Sequence, residues 1–247
     1  SDGTTPRIVT STLWEVRFPR LVIALAVGAG LGCAGALLQG IFANPLAEPS
    51  IIGVSSGGAV FASGLLAIAS LAGVERSYGF LKWGTALAAF IGALLTTLLV
   101  YSLSRVQGKT VVVNLILVGV AINAMAGGFV TLFSFIGGTM AQSQVVFWQL
   151  GSLAGAGWSS AVITLIITVI GIVIACLCAP KMDLLALGEN QARHLGVNVE
   201  RFRLCVIILV AALVGVGVAF AGVIAFVGLI VPHAIRLIIG PQHKWLL

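Results

Sequence analysis

Three short constellations in this sequence have the residue types and spacing to do chemistry. Gly53-Val54-Ser55-Ser56-Gly57 has the G-x-S-x-G spacing of a hydrolase nucleophile elbow, in which a tight turn presents a serine hydroxyl. Such a serine needs a base. His233 could lie at comparable depth on a later helix, which gives an intramembrane serine protease using Ser55 or Ser56 with His233. The competing reading of the same run is packing and capping at a helix start. Gln107-Gly108-Lys109-Thr110 ends in the G-K-T of a phosphate-binding loop, but Leu103 stands where that loop requires glycine, and an apolar helix precedes it where a strand is needed. Nucleotide chemistry is therefore assigned to a partner. A lone histidine such as His233 could ligate haem iron, whereas the adjoining Pro232 speaks for helix shape and a hydrogen-bonded helix end.

Charge gathers in one internal stretch, Pro180 to Arg203, reading PKMDLLALGENQARHLGVNVERFR. Asp183, Glu189 and Glu200 lie here beside Lys181, Arg193, His194, Arg201 and Arg203. Leu184, Leu185, Leu187, Ala192 and Leu195 recur at helical spacing, and Gly188 and Gly196 punctuate the run. This predicts two short amphipathic helices joined by a tight turn, the second starting at Glu189-Asn190-Gln191, where acidic and polar side chains suit the free amides of a helix start. Composition alone leaves a solvated connecting loop as the alternative.

The elements that must hold these groups are membrane helices. Of 247 residues, 60% are hydrophobic and 8% charged, with a mean hydropathy of +1.17, far from the roughly 25% charge of soluble domains. The 31 glycines favour closely packed helices over a barrel, whose strands would alternate apolar and polar residues. The expected fold class is all-α, a polytopic transmembrane bundle. Spans are expected over Leu21–Phe42, Ile51–Gly73, Trp83–Ser104, Val111–Ile136 and Ser159–Ala179, and Leu204–Gly240 divides near Gly222 into a sixth span and a shorter seventh. Gly28, Gly32 and Gly35 share a face of the first span and predict close helix packing there. Residues 1–20 read as a polar, extended external lead-in, and Gly137 to Trp158 as a glycine-rich loop with tryptophans at a membrane surface. Cys33, Cys176, Cys178 and Cys205 have neither metal-site nor disulfide spacing and read as packing residues.

Seven crossings put Asn44 to Pro49, Arg105 to Thr110, the charged stretch and the C-terminal end on one side. That side carries 8 basic residues, Arg105, Lys109, Lys181, Arg193, Arg201, Arg203, Arg236 and Lys244, against 5 on the other, Arg7, Arg17, Arg20, Arg76 and Lys82. The charged stretch is thus placed in the cytoplasm. No Asp or Glu falls inside an expected span, which disfavours a proton relay or an acid-base enzyme in the bilayer. Asn114 and Asn123 lie within otherwise apolar sequence, and each needs a partner or a water-filled cavity. Nothing in the composition supports nucleic acid binding.

Five motifs in order resemble one family. They are Arg17-Phe18-Pro19-Arg20; Gln39-Gly40 with Asn44-Pro45-Leu46-Ala47-Glu48-Pro49; Gly53-Val54-Ser55-Ser56-Gly57; Leu187-Gly188-Glu189 with Ala192 and Leu195-Gly196-Val197; and Gly222-Val223-Ile224-Ala225-Phe226-Val227-Gly228-Leu229-Ile230-Val231-Pro232-His233. The chain is similar over nearly its whole length to the membrane permease subunits of ABC importers for iron-siderophore complexes, haem and cobalamin.

The resemblance implies a ten-helix permease of which seven helices are present here, the first and the last two lying outside this sequence, in a single permease domain over 1–247. It implies a homodimer or pseudo-dimer with cargo passing along the interface by alternating access. Catalysis is expected on cytoplasmic ATPase subunits carrying ATP and Mg, with no cofactor, metal or catalytic residue in this chain. Gly188, Glu189, Ala192, Leu195 and Gly196 would couple to the ATPase within a cytoplasmic segment 180–203. Arg17 and Arg20 would contact acidic residues of an extracytoplasmic substrate-binding protein. Asn44, Pro45, Val112, Val113, Asn114 and Asn123 would line the pathway or its gate, although Val112 and Val113 are apolar where some relatives are polar. Gly119-Val120-Ala121-Ile122-Asn123-Ala124 and Gln242-His243-Lys244-Trp245-Leu246-Leu247 are most similar to haem importers, with ferric siderophore and cobalamin as the other cargoes. The implied location is the inner membrane.

Overall fold

The structure, a computed structural model, describes residues 10–73, 78–240 and 246. Its helices are α1 (Thr10–Ile41), α2 (Val54–Leu71), α3 (Tyr78–Leu103), α4 (Val112–Ile136), α5 (Gly138–Leu150), α6 (Trp158–Ala186), α7 (Glu189–His194), α8 (Val199–Ala221) and α9 (Val227–Ile239). Between α3 and α4 a two-stranded antiparallel hairpin pairs β1 (Arg105–Val106) with β2 (Lys109–Thr110). Six of the helices are long and apolar enough to cross a membrane. The expected seventh span is α9, whose 13 residues make a shorter apolar helix. The all-helical, polytopic expectation therefore holds.

Three boundaries differ from the sequence reading. The lead-in expected to be extended is helical from Thr10, because a π-turn over Leu13–Arg17 absorbs Pro19 at the head of the α-helical part, with the Phe18 N–H bonded to the Leu13 carbonyl. A proline lacks the N–H that an unbroken α-helix would use at that position, so widening the preceding turn lets the helix continue. At the other boundary α6 runs through Pro180 to Ala186. The first of the two short helices expected after Ala179 is thus the extension of a membrane helix, and only α7 is separate. These longer helices also take in Glu15 and Asp183, each near a helix end, where a charge can reach water. The third difference is α5, a helix where a loop was expected. Its flanking glycines suggested a loop, but Ala141 and Val145 recur at four-residue spacing and are buried.

The core is built on α1, α2 and α8, each with an apolar window more than 60% buried, whereas the corresponding windows of α4 and α6 are 22% and 28% buried. All five are largely apolar around their circumference, so apolar periodicity cannot say which face turns inward. Small residues do. A Cβ on Gly35 of α1 would overlap the Gly228 carbonyl of α9, one on Gly57 of α2 would run into Thr96 and the Gly92 carbonyl of α3, and one on Gly119 of α4 would overlap the Ile51 carbonyl. Without a water-driven force between helices in lipid, such close backbone approach supplies much of the packing. Of the three glycines grouped on the first span, only Gly35 is at such a contact: Gly32 makes ordinary contact with Val231, and Gly28 faces open space. The cysteines are free, Cys33 buried in the core and Cys176 and Cys205 exposed on the outer surface.

Candidate functional site

At the charged end, α7 is shaped by two glycines. Gly188, before its first residue, has φ 119°, a conformation that side-chain-bearing residues rarely adopt. Beyond its end the Gly196 N–H bonds to the Arg193 carbonyl (3.0 Å) and the Val197 N–H to the Ala192 carbonyl (3.0 Å), with Gly196 left-handed. These two bonds make a Schellman stop. Ala192 is fully buried and anchors α7 against the core, while Leu195 and Leu187 are each 62% exposed. Of the five residues expected to couple, Gly188 and Gly196 therefore shape the helix, Ala192 holds it, and Glu189 and Leu195 face outward beside an exposed apolar neighbour.

Glu189 also reaches inward. Its Oε1 accepts from Nη2 of Arg203, a side chain only 4% exposed on the first turns of α8, and Arg193 lies 3.8 Å from its Oε2. Arg203 Nη1 stands 3.6 Å from Glu200 Oε1, and Glu200 Oε2 accepts from the Thr110 N–H (3.1 Å) and the Thr110 hydroxyl (2.7 Å). Tyr101 donates to the Glu200 carbonyl at 3.4 Å. The sequence reading treated Arg203, Glu200 and Thr110 as charge and turn residues and missed this cluster. A signal was present: Arg203 is in helical phase with Val199, Val206, Ile207 and Val210, the buried stripe of α8. A charge on that stripe needs buried partners.

The expected gate residues begin where this cluster ends. Val111 is the extended cap of α4, and Val112 and Asn114 follow half-buried, with Val113 63% exposed. Asn123, nine residues beyond Asn114 along α4, does both things weighed for it. Its Nδ2 donates to the Ser50 carbonyl (3.1 Å), and its Oδ1 accepts from the Ser56 hydroxyl (2.6 Å). It also lines an open cavity of about 350 Å³ with Ser50, Ser55, Ser56 and Gln149. The amide thus ties α4 to the start of α2 and leaves a polar wall. Asn44 and Pro45 lie apart from this cavity in the turn after α1, where Asn44 Oδ1 accepts from the Leu46 N–H (2.9 Å) and so closes a local turn.

The protease arrangement is not assembled. Ser56 spends its hydroxyl proton on an amide oxygen, Ser55 is a buried residue of the first turn of α2, and His233 is exposed on α9 and absent from the lining of the serine cavity. Among the described residues there is also no group of three or more His, Cys, Asp or Glu that could hold a metal.

At the opposite end, Arg20 donates to the Ala154 carbonyl (3.1 Å) and Lys82 to the Gly155 carbonyl (3.1 Å), while the Trp158 indole donates to the Trp14 carbonyl (2.9 Å). The two cations thus fasten the segment between α5 and α6. Arg20 is half-buried in this role and Arg17 is exposed beside it. Arg7, Arg76 and Lys244 of the charge count, and the run 242–247 apart from Leu246, lie outside the described residues.

A polytopic bundle with a polar cavity between helices and a separately capped, charged helix at one end has the plan of a membrane transport subunit. The chain belongs to the FecCD transport family, whose sequence profile matches residues 3–247. It is a transport component and not an enzyme. It is 37% identical over 237 residues to the hemin transport system permease protein HmuU of Yersinia pestis, covering 95% of this chain and 69% of that protein. It is also 37% identical over 243 residues to the cobalamin import system permease protein BtuC of Halobacterium salinarum, covering 98% of this chain and 62% of that one. Among solved structures, a metal-chelate type ABC transporter in an inward-facing conformation superposes with a TM-score of 0.85 at 33% identity, over 97% of this chain and 74% of the other. A second, PsaBC from Streptococcus pneumoniae, shares the fold with a TM-score of 0.56 at 20% identity.

Proposed function

We propose that this chain is the permease subunit of an ATP-binding-cassette importer that moves an iron complex, haem, inward across the inner membrane by alternating access. The observation that carries the reading is α7: a helix capped by glycines at both ends, anchored by Ala192, with Glu189 and Leu195 turned outward at the charged end. Exposed leucines beside paired charge suit a docking surface for cytoplasmic ATPase subunits, which carry ATP and Mg and do the hydrolysis. At the opposite end Arg17 and Arg20 meet acidic residues of an extracytoplasmic binding protein, where rim charges fix register and speed encounter. A second permease copy closes the Asn123 cavity into a pathway, and the Val112 to Asn114 turn gates it.

Haem as cargo is supported by the run Gly119 to Ala124 and by the hemin permease relative, but a cobalamin permease is equally identical. The test is uptake into vesicles holding the full-length permease, its ATPase and its binding protein, with haem, a ferric siderophore and cobalamin in competition. ATP-dependent accumulation of haem alone is the expected result. Preference for another cargo overturns haem and keeps the importer, and no ATP-dependent accumulation of any overturns the importer.

A further inference from the structure

Arg203 is shared unequally between two carboxylates on different elements. It is hydrogen-bonded to Glu189 of α7 and stands 3.6 Å from Glu200 of its own helix, beyond hydrogen-bond distance. Glu200 in turn holds β2 by two bonds from Thr110, the last residue of the hairpin, and Thr110 is two residues before the first residue of α4. The open end of the hairpin, between α3 and α4, is closed by the Val111 N–H on the Ser104 carbonyl (3.4 Å). Three elements are therefore linked through one buried guanidinium: the outward-facing α7 directly, the foot of the core helix α8 that carries it, and, through Glu200, the hairpin leading into α4, which lies about 90 residues earlier in the chain. On a side chain only 4% exposed, the guanidinium is costly to leave without its carboxylate, because the surroundings do not solvate it as water would. If α7 moves and Glu189 leaves, the remaining partner is Glu200.

We propose that Arg203 is a positioning residue for coupling: a partner that engages Glu189 transfers Arg203 onto Glu200, and the shift of Glu200 moves Thr110, the hairpin and the start of α4. Arg203 already stands within ion-pair distance of both carboxylates, one hydrogen-bonded and one at 3.6 Å, so the exchange needs only a small shift between partners on separate elements. The movable end of the link is suited to the task, since α4 is the least buried of the membrane-length helices. The inference rests on the proposed coupling role of α7.

The test uses the full-length permease with its ATPase and binding protein in liposomes, reading co-purification of the ATPase, phosphate release and cargo taken up per ATP hydrolysed. Thr110→Val keeps the side-chain shape and the N–H but removes the hydroxyl bond to Glu200, and Thr110→Ser restores it. Thr110→Val is expected to co-purify and hydrolyse ATP like wild type while uptake per ATP falls about fivefold or more, with Thr110→Ser near wild type. Glu189→Gln is expected to lower the same ratio, and the double variant to be no worse than the more affected single, since both interrupt one link. Unchanged uptake per ATP in Thr110→Val, additive losses in the double variant, or loss of ATPase assembly in parallel with uptake would each overturn the proposal. A wild-type complex without ATP-driven uptake overturns the coupling reading itself, and so is distinct from a failure of the relay.

Discussion

Glu48 Oε1 accepts a hydrogen bond of 2.8 Å from the main-chain N–H of Phe226, a residue 178 positions further along the chain. Phe226 caps α9 in a left-handed conformation, φ 67°, that a bulky aromatic residue rarely adopts. The carboxylate supplies the acceptor that a helix start needs, and its charge suits the positive end of the helix. Glu48→Ala should lower stability by about 1 kcal/mol, the usual size of a lost cap. Glu48→Gln keeps an oxygen in place and should retain most of that. Thermal unfolding in detergent of the two variants beside wild type decides it, and equal loss in both would deny the oxygen its role.

The same junction holds Gly35 against Gly228. A methyl group on Gly35 would overlap the Gly228 carbonyl, which cannot move without shifting α9, whereas one on Gly28 meets nothing within 4 Å. Gly35→Ala should therefore destabilise by about 1–3 kcal/mol or prevent folding, and Gly28→Ala should be tolerated, with a gain where reduced freedom of the unfolded chain dominates. Expression yield and thermal stability of the pair measure the difference.

These two contacts show what the sequence could and could not reveal. Helix number and class follow from long uninterrupted apolar runs, because the bilayer sets their length. Gly28, Gly32 and Gly35 read identically on a helix surface, however, and only the position of α9 separates the one in contact from the one in open space. Glu48 and Phe226 belong to two recognisable motifs whose meeting depends on the whole fold. Gly188 and Gly196 were legible as punctuation, since turn chemistry is local. Arg203 was not legible as buried, because it lies in a run of charged residues that suits solvent; Glu200 is its neighbour one turn away, but Thr110 reaches Glu200 only through the packing of α8 against the hairpin, and Glu189 reaches Arg203 only through the fold-back of α7.

The hairpin carries its own test. Gln107 and Gly108 occupy its two turn positions with φ of 50° and 79°, both left-handed. A two-residue hairpin loop of this kind favours Asn-Gly, since asparagine tolerates the left-handed region better than glutamine. Gln107→Asn should stabilise the turn, by less than the roughly 1–2 kcal/mol that the left-handed conformation costs an ordinary residue. Hydrogen exchange of the Val106 and Lys109 amides, the pair that flanks the turn, would report the gain, and faster exchange in the variant would count against this assignment.

The serine cavity separates transport from catalysis. Ser56 and Asn123 form a bonded pair at 2.6 Å, and Asn123 also holds the Ser50 carbonyl, so one amide links α4 to the entry of α2. Ser55 lines the cavity without the imidazole a nucleophile would need. Ser55→Ala should therefore leave cargo uptake close to wild type. Asn123→Leu removes both bonds; the Ser56 hydroxyl keeps the Gly53 carbonyl at 3.2 Å, while the Ser50 carbonyl loses its donor at a penalty of about 1–3 kcal/mol where it stays dry. Its loss of stability should exceed that of Ser55→Ala, and uptake should fall with it. If Ser55→Ala instead abolished cleavage of a membrane peptide by the wild-type protein, the serine would be a nucleophile and this account of the cavity would fail.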